Sequence, residues 1–216
     1  MNIVILGASG GCGRLLVEQS VARGDSVVAV GRSSSTIEAR DGVKVQRGDL
    51  GDPLFLAQCF AGADVVISAL GHRLAGLAPW HQPQDPAFID RATKATLQAC
   101  RQAGVGRVMA ISAGGVGPSW AGMPAVFKLF VRGSALKNVY PSLARMEEVL
   151  LASGLDVCIP RPSGLTDEPA AGGVRIVTTY KGRAAISRAD VASWMLGEAH
   201  KPSFEHRTPL ITVTGA

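Results

Sequence analysis

The 216-residue sequence has little of what marks several classes of protein. Only 18% of its residues are charged, and Lys and Arg are scattered with neither a basic run nor interleaved aromatics. The formal net charge of +5 therefore does not point to nucleic acid; an enzyme for a polyphosphate ligand would carry the same mild excess. No apolar stretch approaches the ~18 residues a membrane span needs. A strand-like run beginning at Asn2 argues against a signal peptide. The four cysteines, Cys12, Cys59, Cys100 and Cys158, lie far apart, with no Cys-x-x-Cys pair and no histidine at ligand spacing. That speaks against a disulfide framework and a metal site, and predicts reduced thiols in a cytoplasmic protein. Aromatics make up 5% of the chain, with only two tyrosines, Tyr140 and Tyr180. Internal repeats and low-complexity linkers are absent, so residues 1–216 are expected to form one domain.

What the chain has is glycine, 26 of them, and their placement near the start is informative. Asn2 to Leu6 is a short β-branched run of the buried-strand type. It leads into Gly7-Ala8-Ser9-Gly10-Gly11-Cys12-Gly13, and Arg14 to Arg23 then reads as a helix stopped by Gly24. Ser26 to Val30 is a second strand. Strand, glycine turn, helix, strand is the opening unit of a dinucleotide-binding fold. Gly7 suits a backbone conformation closed to residues with a Cβ. Gly10 keeps side-chain atoms away from a pyrophosphate, and Gly13 lets helix and sheet approach. Amide N–H groups at the helix start, including those of Ser9, Gly11 and Cys12, and the positive end of the dipole would then face the diphosphate. Arg14 can add a full charge there. Cys12 reads as a small filler residue within the loop.

The end of the second strand bears on which dinucleotide. An NAD site carries an acidic residue there for the ribose 2′-hydroxyl. This chain has Gly31-Arg32-Ser33-Ser34-Ser35, and no Asp or Glu lies between Asp25 and Glu38. Arg32 can stack on adenine and pair with a 2′-phosphate, with Ser33 donating to the same oxygens. NADP(H) is the expected cofactor.

Strands alternate with helices through the rest of the chain, which predicts a Rossmann-type, doubly wound parallel sheet in a three-layer α/β fold, with a small C-terminal substrate or lid region. Val43 to Arg47 is a third strand, followed by Asp49 and Leu50, where Asp49 either accepts from the adenine amino group or is a plain turn aspartate. Asp52-Pro53 starts a helix to Phe60. Ala63 to Leu70 is a fourth strand, and Ala69, Leu70 and Gly71 can lie along the cofactor ribose. His72 follows, either a proton donor or an ordinary loop histidine. Ala87 to Ala103 is a helix. Arg107 to Ser112 is a fifth strand that delivers Ser112 to the ligand edge. Ser142 to Ser153 is a helix, Leu155 to Ile159 a sixth strand, Val174 to Thr178 and Leu210 to Val213 further strands, and Ser187 starts another helix. Segments 73–86, 114–138 and 163–185 are substrate-side loops, and Val126 to Leu136 within the second suggests a short amphipathic helix that fits a lid better than a dimer or membrane surface.

With these pieces placed, the chain resembles the atypical short-chain dehydrogenases of the NAD(P)H-binding, NmrA-like type, closest to the flavin reductase and biliverdin-IXβ reductase-like proteins. The glycine loop, Gly31-Arg32, Gly48-Asp49-Leu50, Val65 to Gly71, Val108 to Ser112, Arg161-Pro162 and Ser187 to Val191 carry the resemblance. Ordinary members of the wider family use a tyrosine with a lysine four residues later as proton donor. Here Tyr140 is near the expected place, but residue 144 is alanine, and Tyr180-Lys181 has the wrong spacing. The resemblance implies NADPH-dependent hydride transfer to a small-molecule conjugated acceptor such as a flavin or quinone, which needs orientation more than a protein base. It places Ser112, with Tyr140 as a possible stacking group, at the reacting end, and Pro162 and Ser163 beside the nicotinamide. The alternative is a catalytically weak regulatory protein that senses NADP(H). A sugar-nucleotide epimerase fits less well, because little chain follows the sixth strand. The sequence leaves monomer and homodimer open.

Overall fold

The computed structural model describes residues 1–215. Six strands, β1 (Asn2–Leu6), β2 (Ser26–Gly31), β3 (Val43–Arg47), β4 (Val65–Ser68), β5 (Arg107–Ala110) and β6 (Asp156–Cys158), form one parallel sheet in the order β3-β2-β1-β4-β5-β6. Strand order reverses direction at β1, which pairs with β2 on one side and β4 on the other. Connections leaving the two neighbours run apart there and open a crevice at the C-terminal edge, where open α/β sheets bind ligands.

The apolar runs that predicted buried strands are explained by helices on both faces. Alternate residues face opposite ways: Val4, Leu6, Val66, Val108 and Val157 enter one core cluster, and Ile3, Ile5, Ile67, Met109 and Cys158 the other. The first is covered by α2 (Pro53–Phe60), α3 (Phe88–Ala103) and α5 (Tyr140–Leu151), the second by α1 (Gly11–Ala22) and α6 (Arg188–Ala199). Helix ends follow local chemistry. Asp52 accepts from the Leu54 N–H at 2.9 Å, with Pro53 in the first turn. Gly104 closes α3 in the left-handed region at φ 71°. Ser187 caps α6 by accepting from the Asp190 N–H at 2.9 Å.

Two strands are shorter than their apolar runs. Ala63 N–H turns back to Phe60 O, and the chain leaves β4 after Ser68, although Ala69 N–H still reaches Leu6 O at 2.9 Å. Beyond β5, Ile111 N–H bonds Ser68 O before Ser112 diverges to Pro160 O. Helix α1 begins three residues earlier than its side-chain pattern suggests, because its first turn is built from glycine and cysteine. Residues 114–138 hold α4 (Ala125–Arg132) between two 3-10 turns. Residues 161–187 are more regular than loops: β7 (Arg161–Pro162), β8 (Gly164–Thr166), β9 (Arg175–Val177) and β10 (Ala185–Ser187) join β11 (Leu210–Thr212) in two small sheets, β10-β8 and β7-β11-β9. Strands β9 and β11 fall within the expected runs 174–178 and 210–213, while the two- and three-residue β7, β8 and β10 show no readable periodicity. Among the described residues no helix is long and apolar enough to cross a membrane.

Candidate functional site

A cleft of ≈ 660 Å³ lies at the crevice. Its floor is the turn between β1 and α1. Gly7 has φ +77°, and a Cβ there would lie 2.9 Å from Ala69 O. A Cβ on Gly13 would lie 2.1 Å from Gly7 O, so this glycine is demanded by the protein's own backbone, beneath the cleft rather than in its lining. Gly7, Ser9, Gly10, Gly11 and Cys12 line the cleft. The first helical hydrogen bond of α1 is from Arg14 N–H to Gly10 O at 2.9 Å. The N–H groups of Gly11, Cys12 and Gly13 precede it and have no intrahelical acceptor. No side chain caps them and no acidic residue stands in the first turn. An uncapped helix start with small residues facing open space fits a diphosphate. Burial pushes the Cys12 thiol up to about 11, which makes it an inert wall residue.

Arg14, expected to contribute charge, is exposed on α1 and does not line the cleft. Arg188 takes that place. Its side chain lies over Gly11 so closely that a Cβ there would sit 2.8 Å from Arg188 Cδ, and its Nη1 donates to Asp167 Oδ1 at 2.7 Å. The sequence did carry a signal: a cation in the first turn of α6 opposes the helix dipole and calls for a reason.

On the β2 side, Arg32 lines the cleft and forms no ion pair among the described residues. Ser33 is exposed and outside the lining, and Ser35 lines it instead. The loop is shaped by Arg47, which donates to Ser35 O at 3.1 Å and Ile37 O at 2.7 Å. Asp49 and Leu50 line the same end, and Asp49 Oδ1 accepts from Gly51 N–H at 2.8 Å. Ala69, Leu70 and Gly71 line the middle. His72 follows, its Nε2 2.5 Å from Ser142 Oγ, while Ser142 donates to Val139 O at 2.8 Å. The Ser142 proton is thus committed to Val139, so His72 Nε2 is the donor. Burial lowers the His72 pKa, which favours this neutral ring.

At the far end Ser112 lines the cleft. Its hydroxyl donates to Glu147 Oε1 at 2.5 Å. Arg161 grips the same carboxylate twice, Nε to Oε1 at 3.0 Å and Nη2 to Oε2 at 2.5 Å. All three side chains are buried. Glu147 was missed in the sequence, although it sits one helical turn from Leu143 and Leu150 on the apolar face of α5, a position where a carboxylate needs a partner.

Three further expected site residues, besides Gly13 and Ser33, stand outside the lining. Tyr140 does not line the cleft; its hydroxyl donates to Gly114 O at 2.9 Å and burial pushes its pKa up to about 12. Pro162 sits in β7 opposite Ile211. Ser163 Oγ is 2.9 Å from Thr212 Oγ1. Pairing with β11 draws both of these residues out of the lining. The outer wall comes from Arg73, Gln84 and Asp85 of the segment after β4, from Phe88 and Arg91 of α3, and from Leu143.

A parallel sheet of this strand order with a glycine turn at its switch point is the architecture of NAD(P)-binding Rossmann proteins. The chain belongs to the NAD(P)H-binding family, whose model matches residues 7–202. It is 27% identical over 213 residues to the uncharacterized sugar epimerase YhfK of Bacillus subtilis (strain 168), covering 96% of this chain and 92% of that protein. Among solved structures it is similar to ChuY, an anaerobillin reductase from Escherichia coli O157:H7, with TM-score 0.79, 23% identity and coverage of 100% of this chain and 98% of the other. A short-chain dehydrogenase/reductase from Veillonella parvula DSM 2008, solved in complex with NADP, has TM-score 0.75 and 19% identity, over 99% and 95% of the two chains. These likenesses to solved structures establish the Rossmann-type fold, and the family match makes the chain an NAD(P)H-binding protein.

Proposed function

We propose that the protein is an NADPH-dependent reductase that passes hydride to a conjugated small-molecule acceptor such as a flavin or quinone. One observation carries this: a single cleft joins the uncapped start of α1 and the unpaired Arg32 to Ser112, and no tyrosine lines it. When bound, NADPH supplies the hydride. Gly7, Ser9, Gly10, Gly11 and Cys12 offer backbone to the diphosphate, with Gly13 holding α1 against β1 and Arg188 adding charge. Arg32 takes the 2′-phosphate, Asp49 and Leu50 border the adenine, and Ala69 to Gly71 border the ribose. Phe88 and Leu143 give the acceptor an apolar wall. With Tyr140 committed to Gly114, the chain's residues orient and exclude water rather than supply a phenolic proton.

A second reading, an NADP(H)-sensing regulatory protein, draws on the exposed apolar face of α4, where Val126 is 80% and Leu129 72% accessible. The epimerase in the Bacillus relative's name is less well served, since such chemistry needs a proton donor and acceptor at a sugar carbon. Purified protein mixed with NADPH and a panel of flavins and quinones separates the readings. Loss of the reduced-nicotinamide absorbance with one class of acceptor is expected. Tight NADPH binding without oxidation across the panel would reject the reductase and favour the sensor.

A further inference from the structure

Ser112, Glu147 and Arg161 form a chain of three buried polar side chains running inward from the cleft wall. Buried polar groups are retained only when their partners are satisfied, and this chain is satisfied in one direction only. Arg161 can only donate. Both Glu147 oxygens accept from it, so Glu147 is held as the carboxylate, which accepts and does not donate. The one hydroxyl proton of Ser112 must therefore point at Glu147 Oε1, at 2.5 Å. The Ser112 N–H is spent on Pro160 O at 3.0 Å. What remains to Ser112 on the cleft side is a pair of oxygen lone pairs.

We infer that Glu147 is a positioning residue that fixes Ser112 as a hydrogen-bond acceptor, so that Ser112 recognises the amide NH2 of the nicotinamide and gives no proton to the acceptor substrate. This deepens the reductase proposal and rests on its cofactor assignment. The pull of a carboxylate raises the electron density on the serine oxygen and strengthens its acceptance of the next hydrogen bond. A carboxamide held by its NH2 group fixes the rotation of the nicotinamide ring, and with it the face presented to the acceptor. Arg161 keeps the carboxylate charged and still, so the polarity does not invert. The tyrosine–lysine arrangement of ordinary relatives supplies a proton; this chain supplies orientation at the corresponding end of the cleft.

The test compares NADP+ with its 3-acetylpyridine analogue, in which a methyl group replaces the amide NH2 and the carbonyl is kept. Dissociation constants are measured by calorimetry, with no turnover required. The wild type is expected to prefer NADP+ by roughly tenfold, the worth of one well-placed hydrogen bond. Ser112→Ala should abolish the preference by weakening NADP+ alone. In Glu147→Gln the side-chain amide can donate to Ser112 and release its hydroxyl proton toward the cleft, so the preference should vanish or reverse although Ser112 is intact; a purely structural role for Glu147 would weaken both ligands equally. If Glu147→Gln fails to fold, Ser112→Ala decides alone. Retention of the tenfold preference in Ser112→Ala would overturn the inference and leave the reductase standing. Failure of the wild type to bind either dinucleotide would overturn the cofactor assignment and the inference with it.

Discussion

The two ends of the cleft are built on different principles. At the glycine end the backbone makes the surface: Gly7 and Gly13 allow chain segments to approach where a Cβ would lie 2.9 and 2.1 Å from a carbonyl oxygen. Its walls are regular strands and helices joined by a short turn. Away from the glycine turn side chains make the surface, with Arg73, Gln84 and Asp85 from the segment after β4, Phe88 of α3 and Leu143 of α5, and outside the lining large apolar groups stand in solvent: Trp80 is 74% and Val126 80% accessible. A backbone-built site suits a ligand common to a whole family. A side-chain-built site can vary with the acceptor at little cost to the fold.

Four substitutions test this contrast, the largest effect first. Gly13→Ala drives a methyl group into the Gly7 carbonyl and should cost about 3 kcal/mol, the upper range for overpacking, or roughly 10 °C in Tm. NADPH should no longer raise the melting temperature of this variant. A Tm within 2 °C or so of wild type would mean the turn is looser than described. Next, Arg188→Ala should weaken NADPH and NADH alike by about tenfold in titrations, since a guanidinium over the glycine turn meets what the two cofactors share. Asp167→Asn, which frees Arg188 from its ion pair, should tighten both. An effect of Arg188→Ala on NADPH alone would move this residue to the 2′-phosphate. The smallest expected change is outside the lining: Leu129→Ser on the exposed face of α4 should alter stability by under about 0.5 kcal/mol and leave NADPH affinity constant. A Tm loss comparable with Gly13→Ala would erase the distinction between the ends.

The same contrast explains what could be read from the chain. The first thirty residues were legible because alternating apolar residues and glycine spacing are local signals of backbone geometry. The paired cores followed from strands apolar on both faces. Arg188 was not legible as a cleft residue, because it reaches Gly11 across more than 170 positions and only its awkward place on the α6 dipole hints at it. Nor was the link of Ser112 to Glu147, which depends on how α5 packs against the end of β5. Tyr140 was expected at the reacting end through the family resemblance; its hydroxyl is instead taken by Gly114 O and its ring stays out of the cleft lining, which no local pattern signals. In the small sheets β9 and β11 fall within expected strands, whereas β7, β8 and β10 were not legible: they are two or three residues long, and Arg161 pairs with Leu210 and Gly164 with Ala185 from distant parts of the chain.

The most direct test of the central claim is the pair of dissociation constants for NADPH and NADH, measured on wild type and on Arg32→Ala. NADPH should bind at least roughly tenfold more tightly to wild type, as a guanidinium–phosphate pair would give, and Arg32→Ala should remove that advantage while NADH binding holds. Equal constants for the two cofactors in the wild type would contradict the assignment of Arg32, and no binding of either would contradict the assignment of the glycine turn.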